Sequence, residues 1–174
     1  VIDTAKILSV FIDKQNSNCI LDVLVKNKRI SKEGSIPVLA IPTTTGSGAE
    51  VTPFATIWDA KKNKKFSLSS ELLIPKKVLL DYSLTLNLPI ETTIYSGLDT
   101  ISHCFESIWN INADKETIKL ASEALKSSLL NLSLILENPK NHNARNLMQK
   151  SSCLAGIAIS KTKTALAHSI SYPL

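Results

Sequence analysis

The hydrophobic pattern of the chain changes near Pro89, and this change limits the folds that the sequence can adopt. Before this point, short apolar runs bounded by proline or polar turn residues predict strands, as in residues 35–42 and 77–81. After it, the apolar residues recur at helical spacing and the strand pattern stops. We therefore predict an α/β part over residues 1–88, followed by an all-α part over residues 89–174.

Each part is predicted to contain several elements. In the first part we expect a helix, a continuous apolar strand of the parallel-sheet kind, a hairpin around a lysine-rich turn and a further strand, over residues 1–14, 35–42, 54–58 with 65–68, and 77–81. In the second part Asp114 is a predicted N-cap. The helices on either side of it carry apolar stripes at Ile94, Leu98, Ile101, Phe105 and Ile108, and at Ile118, Ala121, Leu125, Leu129, Leu132 and Leu136. Further helices are predicted over residues 144–157 and 164–171.

Composition excludes some classes of function. The 174 residues carry a formal charge of +5, but they contain only 5% aromatic residues and just two arginines, Arg29 and Arg145. Readers of nucleic acid combine basic residues with stacking aromatics or base-reading arginines, so we expect no nucleic-acid partner. An anionic cofactor or substrate fits the positive charge. No apolar run reaches the ~18 residues of a membrane span, so no membrane partner is expected. Three scattered cysteines indicate a reducing compartment, and we predict a cytoplasmic protein.

Two histidines and an aspartate are candidate metal ligands. Asp99 and His103 are four residues apart, so they share one face of a helix and can hold one ion together. His168 lies in a separate apolar segment and could supply a third ligand, which would leave an open position for catalysis. Spacing alone also allows a solvated Asp–His pair and a satisfied core histidine. His142 follows Pro139 in a polar stretch that predicts a solvent-exposed loop.

A loop of threonine, glycine and serine follows the strand that ends at Pro42. Its sequence is Thr-Thr-Thr-Gly-Ser-Gly over residues 43–48. The glycines allow the backbone to approach a ligand closely, and the hydroxyl and N–H groups suit phosphate or ribose oxygens. The loop matches neither the P-loop nor the Gly-x-Gly-x-x-Gly pattern, and a plain flexible loop has the same composition.

The order of these motifs resembles the iron-containing (group III) alcohol dehydrogenases along nearly the whole chain. The matching segments are Val-Ile-Asp-Thr-Ala-Lys at residues 1–6, the loop at residues 41–52, the Asp-x-x-x-His helix at residues 97–106, and residues 167–174. The resemblance implies a dehydroquinate synthase-like architecture that is incomplete at both ends. Its α/β nucleotide-binding part would bind NAD or NADP, and its all-α part would bind a divalent metal. A pyrophosphate-binding turn is expected before the first residue, and a fourth ligand, a histidine, after the last.

Site residues follow from the resemblance. It implies that Fe(II) or Zn(II) is held by Asp99, His103 and His168. It implies cofactor contacts from a further set of residues, namely Asp3, Thr43, Thr44, Ser47 and Lys65. Many relatives have a second histidine, thought to relay a proton, where this chain has Tyr172, which we therefore assign as the catalytic position. A tyrosine with its ordinary pKa of ~10 is a poorer proton relay than histidine at neutral pH.

The implied activity is hydride transfer between NAD(P)(H) and a small alcohol or aldehyde. The wording of residues 168–174 resembles the phosphonoacetaldehyde reductase branch, and the resemblance allows a homodimer. A glycerol dehydrogenase or a dehydroquinate synthase-like enzyme on the same fold remains an alternative. So do a truncated remnant that binds metal or nucleotide without catalysis, and a helical interaction domain.

Overall fold

A computed structural model of the chain describes residues 1–12, 20, 23, 35–59 and 64–171. The described residues form two compact units. The first comprises residues 1–40 and 49–79, and the second comprises residues 41–48 and 80–174. The predicted domain boundary between residues 88 and 89 stays a prediction for the whole protein.

The first unit is built on a helix and a hairpin. Helix α1 (Ile2–Phe11) packs against strand β2 (Phe54–Asp59), which pairs antiparallel with β3 (Lys64–Ser69). The predicted hairpin is confirmed, with Ile57 opposite Phe66 in the ladder. Its core combines residues of the helix, of each hairpin strand and of the 3₁₀ turn that follows the hairpin: Ile7, Val10, Ala55, Leu68 and Leu73.

The predicted buried strand is shorter than expected. Only Leu39–Ala40 (β1) forms a strand, and it pairs in parallel with Lys77–Val78 (β4). Pro37 and Pro42 flank it, and proline has no N–H for a ladder. The strand predicted over residues 77–81 is also shorter than expected and ends at Val78. Asp81 instead caps a 3₁₀ turn by accepting a hydrogen bond from the Ser83 N–H.

A buried lysine joins α1 to the hairpin segment. Lys6 is fully buried, and its Nζ donates to the carbonyl oxygens of Thr52 and Phe54 at 2.8 and 2.9 Å. Burial lowers the pKa of Lys6 to about 8, against the opposing attraction of Asp3 and Glu50. These bonds compensate for the loss of water around the ammonium group, so Lys6 is a structural residue of this unit.

The second unit is helical. Helices α2 (Ile90–Ile108), α3 (Lys115–Glu137) and α4 (His142–Thr162) pack against one another, and the short helix α5 (Leu166–Ser171) packs on α2. The predicted cap is confirmed, since Asp114 accepts a hydrogen bond from the Thr117 N–H at 2.7 Å. Asn141 caps α4 in the same way. His142 is exposed as predicted, but it begins α4 instead of lying in a loop.

The predicted apolar stripes of α2 and α3 are wrong in detail. Leu98 and Phe105 of α2 are 53% and 40% exposed, and Leu129 of α3 is 50% exposed. The buried face of α3 keeps Ala121 and Leu132 of the predicted stripe. The buried faces otherwise carry small and polar residues, namely Thr93, Gly97, Thr100, Cys104 and Ser107 on α2, and Thr117, Ala124 and Ser128 on α3. Small side chains let helices approach closely, and hydroxyl groups can bond to the neighbouring backbone, so polarity alone did not identify the outer face.

The Thr-Gly loop, residues 41–48, belongs to the helical unit. The Thr45 carbonyl accepts from the hydroxyl of Thr100 on α2 at 2.8 Å. Gly48 has φ of 59°, and a Cβ built there would lie 2.5 Å from the Cα of Gly156 on α4. The close approach that Gly48 allows is therefore to one of the protein's own helices, α4. Among the described residues, no helix combines the length and apolar character needed to cross a membrane.

Candidate metal centre

Helix α2 positions the first two predicted ligands. Asp99 Oδ1 and His103 Nε2 are 3.6 Å apart, as the four-residue spacing on one helix predicts. His103 is only 5% exposed, whereas Asp99 is partly accessible. The side chain of His103 thus lies inside the packed helical unit, whereas that of Asp99 lies at the edge of this unit.

Helix α5 brings the third predicted ligand to the same point. His168 Nε2 lies 3.2 Å from His103 Nε2 and 3.6 Å from Asp99 Oδ1. The two imidazole rings are stacked, with centroids 4.9 Å apart and planes 8° from parallel. The structure therefore brings together three side chains that are up to 69 positions apart in the numbering, Asp99 to His168.

The three donor atoms suit one metal ion. Donors bound tetrahedrally at about 2.1 Å from an ion lie about 3.4 Å from one another. The observed separations of 3.2, 3.6 and 3.6 Å fall around that value. Two imidazoles and one carboxylate form the donor set that non-haem Fe(II) centres use, and zinc accepts the same donors. That Asp99, His103 and His168 bind a metal stays a prediction.

Electrostatics also favours a cation between these atoms. An ionised carboxylate oxygen offers only lone pairs, and each facing imidazole nitrogen offers a lone pair or a single proton. Burial lowers the pKa of His103, against the attraction of Asp99, so this ring favours its neutral form. Burial raises the pKa of Asp99, but His168 and His103 outweigh it and hold that pKa below its ordinary value. The site thus favours a neutral imidazole at His103 beside an ionised Asp99, and both are metal-binding forms. The pKa of His168 is raised, chiefly by its hydrogen bond to Asp99, so a metal ion would take the place of a proton on this ring.

Glu106 is a site residue that the sequence did not single out. It lies on α2 three residues after His103 and is fully buried. Its Oε2 is 2.6 Å from His168 Nδ1, and its Oε1 accepts from the His168 backbone N–H at 3.2 Å. The pKa of Glu106 is lowered because the backbone N–H groups of Ala165 and His168 outweigh the effect of burial. The available signal was its spacing of three from His103 and seven from Asp99, which places all three on one face.

The predicted cofactor residues are divided between the two units. Thr43, Thr44 and Ser47 are exposed on the loop of the helical unit. Asp3 belongs to the first unit, where its carboxylate accepts from the Thr56 N–H at 2.9 Å and ties α1 to β2. Lys65 is on β3, with its Nζ 5.7 Å from the centroid of the Trp58 ring. Their cofactor contacts stay predictions.

The predicted catalytic position, Tyr172, lies outside the described residues.

Family models match both parts of the chain. The model described as iron-containing alcohol dehydrogenase matches residues 1–82. The model described as the C-terminal part of the Fe-containing alcohol dehydrogenase family matches residues 93–174. The second match includes Asp99, His103, Glu106 and His168.

The curated relatives include aldehyde reductases and alcohol dehydrogenases. The chain is 35% identical over 136 residues to a sulfoacetaldehyde reductase of Bilophila wadsworthia, covering 78% of this chain and 35% of the relative. It is 33% identical over 140 residues to a phosphonoacetaldehyde reductase of Streptomyces viridochromogenes, covering 80% and 35%. The chain thus spans about a third of the length of these relatives.

Solved structures share the fold. A sulfoacetaldehyde reductase of Bifidobacterium kashiwanohense in complex with NAD⁺ superposes with a TM-score of 0.92 at 28% identity, over 99% of this chain and 45% of that one. An iron-containing alcohol dehydrogenase of Thermotoga maritima gives 0.88 at 34% identity, over 99% and 46%.

Proposed function

Because the chain belongs to the iron-containing alcohol dehydrogenase family, we propose that its protein transfers hydride between a nicotinamide cofactor and a small alcohol or aldehyde at a bound metal. The observation that carries this proposal is the triangle of Asp99 Oδ1 and the Nε2 atoms of His103 and His168. A helical interaction domain has no need for three metal-ligand atoms at this spacing in a partly buried position.

Asp99, His103 and His168 contribute in different ways to the proposed binding of the metal. Asp99 contributes the negative charge, and His103 and His168 each contribute an imidazole nitrogen. These three side chains do not fill the coordination of a metal ion, so further ligands and a substrate oxygen can be accommodated. When bound, the metal supplies Lewis-acid chemistry, which polarises a carbonyl or lowers the pKa of an alcohol. The buried ring of His103 also excludes water from the inner side of the centre.

The cofactor part of the proposal is hydride transfer with NAD(H), which the NAD⁺ complex of a structural neighbour supports. Exposed hydroxyl groups on Thr43, Thr44 and Ser47 suit ribose or phosphate oxygens, and Asp3 and Lys65 are the proposed contacts of the first unit. Fe(II) is the proposed metal, as the family description indicates, with Zn(II) as the alternative. NADP is the alternative cofactor.

The proposed substrate is a short aldehyde that carries an anionic group. Two relatives act on sulfoacetaldehyde and phosphonoacetaldehyde, and the net charge of +5 favours an anionic partner. The sequence favoured the phosphonate, and the sulfonate has the same two-carbon aldehyde with a different anionic group. A cytoplasmic location, a homodimer and a role for Tyr172 in proton transfer remain parts of the proposal.

The test uses the full-length protein loaded with Fe(II) or Zn(II) under anaerobic conditions. NADH and NADPH oxidation are followed at 340 nm with phosphonoacetaldehyde, sulfoacetaldehyde, acetaldehyde and dihydroxyacetone. We expect metal-dependent turnover, fastest with one of the two anionic aldehydes. Preference for dihydroxyacetone would favour the glycerol dehydrogenase alternative. Activity that persists in the metal-free protein, or metal binding without turnover of any of these substrates, would contradict the proposal.

A further inference from the structure

We propose that Glu106 is a positioning residue for the metal centre, which acts by holding His168 with its Nε2 towards Asp99 and His103. The inference rests on the proposed function, since it assumes that this site binds a metal. It concerns a side chain that does not reach the ion itself, because both of its oxygens are engaged with His168.

The geometry of the carboxylate carries the inference. One oxygen of Glu106 lies 2.6 Å from the ring Nδ1 of His168, and the other accepts from the backbone N–H of the same residue at 3.2 Å. A rigid, planar carboxylate that binds both the ring and the backbone of one residue fixes how the ring is turned. Since an ionised carboxylate can only accept, the close contact assigns the proton to Nδ1. With Nδ1 kept on the Glu106 carboxylate, Nε2 of His168 is directed at Asp99 and His103, where a metal would take its lone pair in place of a proton.

Burial strengthens this contact. Glu106 lies on the buried face of α2 and is itself fully buried, so water does not compete for its carboxylate oxygens. A buried carboxylate has to be fully hydrogen-bonded to be tolerated, and His168 supplies two of its bonds. His168 therefore satisfies Glu106, and Glu106 in return restricts the ring of His168.

The weakness of α5 as a support shows why such a residue is needed. α5 has only six residues, and the residue before it, Ala165, has no side-chain acceptor for the free N–H groups of the first turn. Glu106 provides that acceptor from α2, at the third residue of α5, which is His168. The same carboxylate thus fastens the helix and orients its ligand.

The test compares the metal affinity of three full-length proteins: wild type, Glu106→Gln and Glu106→Ala. Metal-free protein is titrated with Co(II) against a competing chelator, and the visible absorption of bound cobalt reports the ligand geometry. Glutamine preserves the volume of glutamate, but it offers one acceptor where His168 needs two. We expect about 10- to 100-fold weaker binding in both variants, with an altered cobalt spectrum. Glu123→Gln, an exposed position on α3, is the matched control and should behave as wild type.

A second comparison, made in a protein that already carries His168→Ala, distinguishes a positioning role of Glu106 from a general loss of structure. In a His168→Ala protein, Glu106 has no ring to orient, so adding Glu106→Gln should change the Co(II) affinity by less than about twofold. An additional 10-fold loss in that background would show that Glu106 acts through overall stability and would overturn the inference. So would Glu106→Gln binding cobalt as tightly as wild type. If wild-type protein binds no metal, the proposed function itself fails, and this outcome is distinct from the other two.

Discussion

Helices α2 and α5 support the same candidate site in different ways. α2 has 19 residues, packs against α3 and α4, and carries Asp99 and His103 on consecutive turns. α5 has six residues, packs on α2 and carries His168. The relative placement of the first pair follows from helix geometry alone, whereas that of His168 depends on its bonds to Glu106.

Two of the three donor side chains are thus preorganised on one helix, whereas the third is held through the hydrogen bonds of Glu106. A preorganised ligand loses little freedom when a metal binds, so its contribution to affinity is large. A ligand on a short helix has to be ordered first, which reduces its net contribution. The following substitutions test this difference.

The largest effect is expected for His103→Ala in the full-length protein. It removes the buried donor of the preorganised pair, and we expect metal affinity to fall more than about 1,000-fold, or about 4 kcal/mol. Metal content after dialysis, measured by mass spectrometry, checks this prediction, with Glu123→Gln as the control. Full retention of metal by a folded His103→Ala protein would exclude His103 as a ligand.

A smaller loss is expected for His168→Ala, about 100-fold or 2.7 kcal/mol, because Asp99 and His103 keep their mutual geometry on α2. Titration with Zn(II) against a chelator measures the two histidine variants side by side. A loss as large as that of His103→Ala would break the comparison between the two helices.

The packing of the Thr-Gly loop against α4 is tested next by Gly48→Ala. The new Cβ would meet the backbone of Gly156, and φ of 59° is unfavourable for alanine. We expect the free energy of unfolding to fall by about 2 kcal/mol. Urea denaturation measures it, and Thr43→Ala, exposed in the same loop, should stay close to wild type. An unchanged midpoint for Gly48→Ala would show that the loop does not need this close approach.

The smallest effect is expected for Gly97→Ala on α2. The added Cβ would lie 2.7 Å from a methyl group of Leu132 on α3, and that side chain can shift. The cost of overpacking is partly offset by the better helix propensity of alanine, so we expect a net loss of about 1 kcal/mol. Leu132→Ala in the same protein should relieve the clash, giving a non-additive pair in a double-mutant cycle. Strict additivity would mean that α2 and α3 are not in tight contact at Gly97.

The sequence predicted those features of the fold that depend on local pattern. The hairpin of β2 and β3 and the Asp114 cap are confirmed, as is the order of an α/β part and a helical part. The ends of β1 and β4 were wrong because strand length depends on pairing partners, which a single run of residues does not reveal.

The candidate site was predictable only where chemistry and spacing coincide. Asp99 and His103 are metal-ligand types four residues apart, and the family resemblance added His168. Glu106 was missed because its role depends on α5 folding back onto α2, which places His168 within 2.6 Å of its carboxylate. Leu98 and Phe105 were wrongly predicted to be buried, since the buried face of α2 is built from small and polar residues.

The proposed function requires that Asp99, His103 and His168 together hold one metal ion. The most direct measurement is a crystal structure of the full-length protein loaded with Zn(II), with diffraction data collected on both sides of the zinc absorption edge. We predict one anomalous peak about 2.0–2.2 Å from Asp99 Oδ1 and from the Nε2 atoms of both histidines. Metal-loaded crystals with no peak between these three side chains, or with zinc bound only elsewhere, would contradict it.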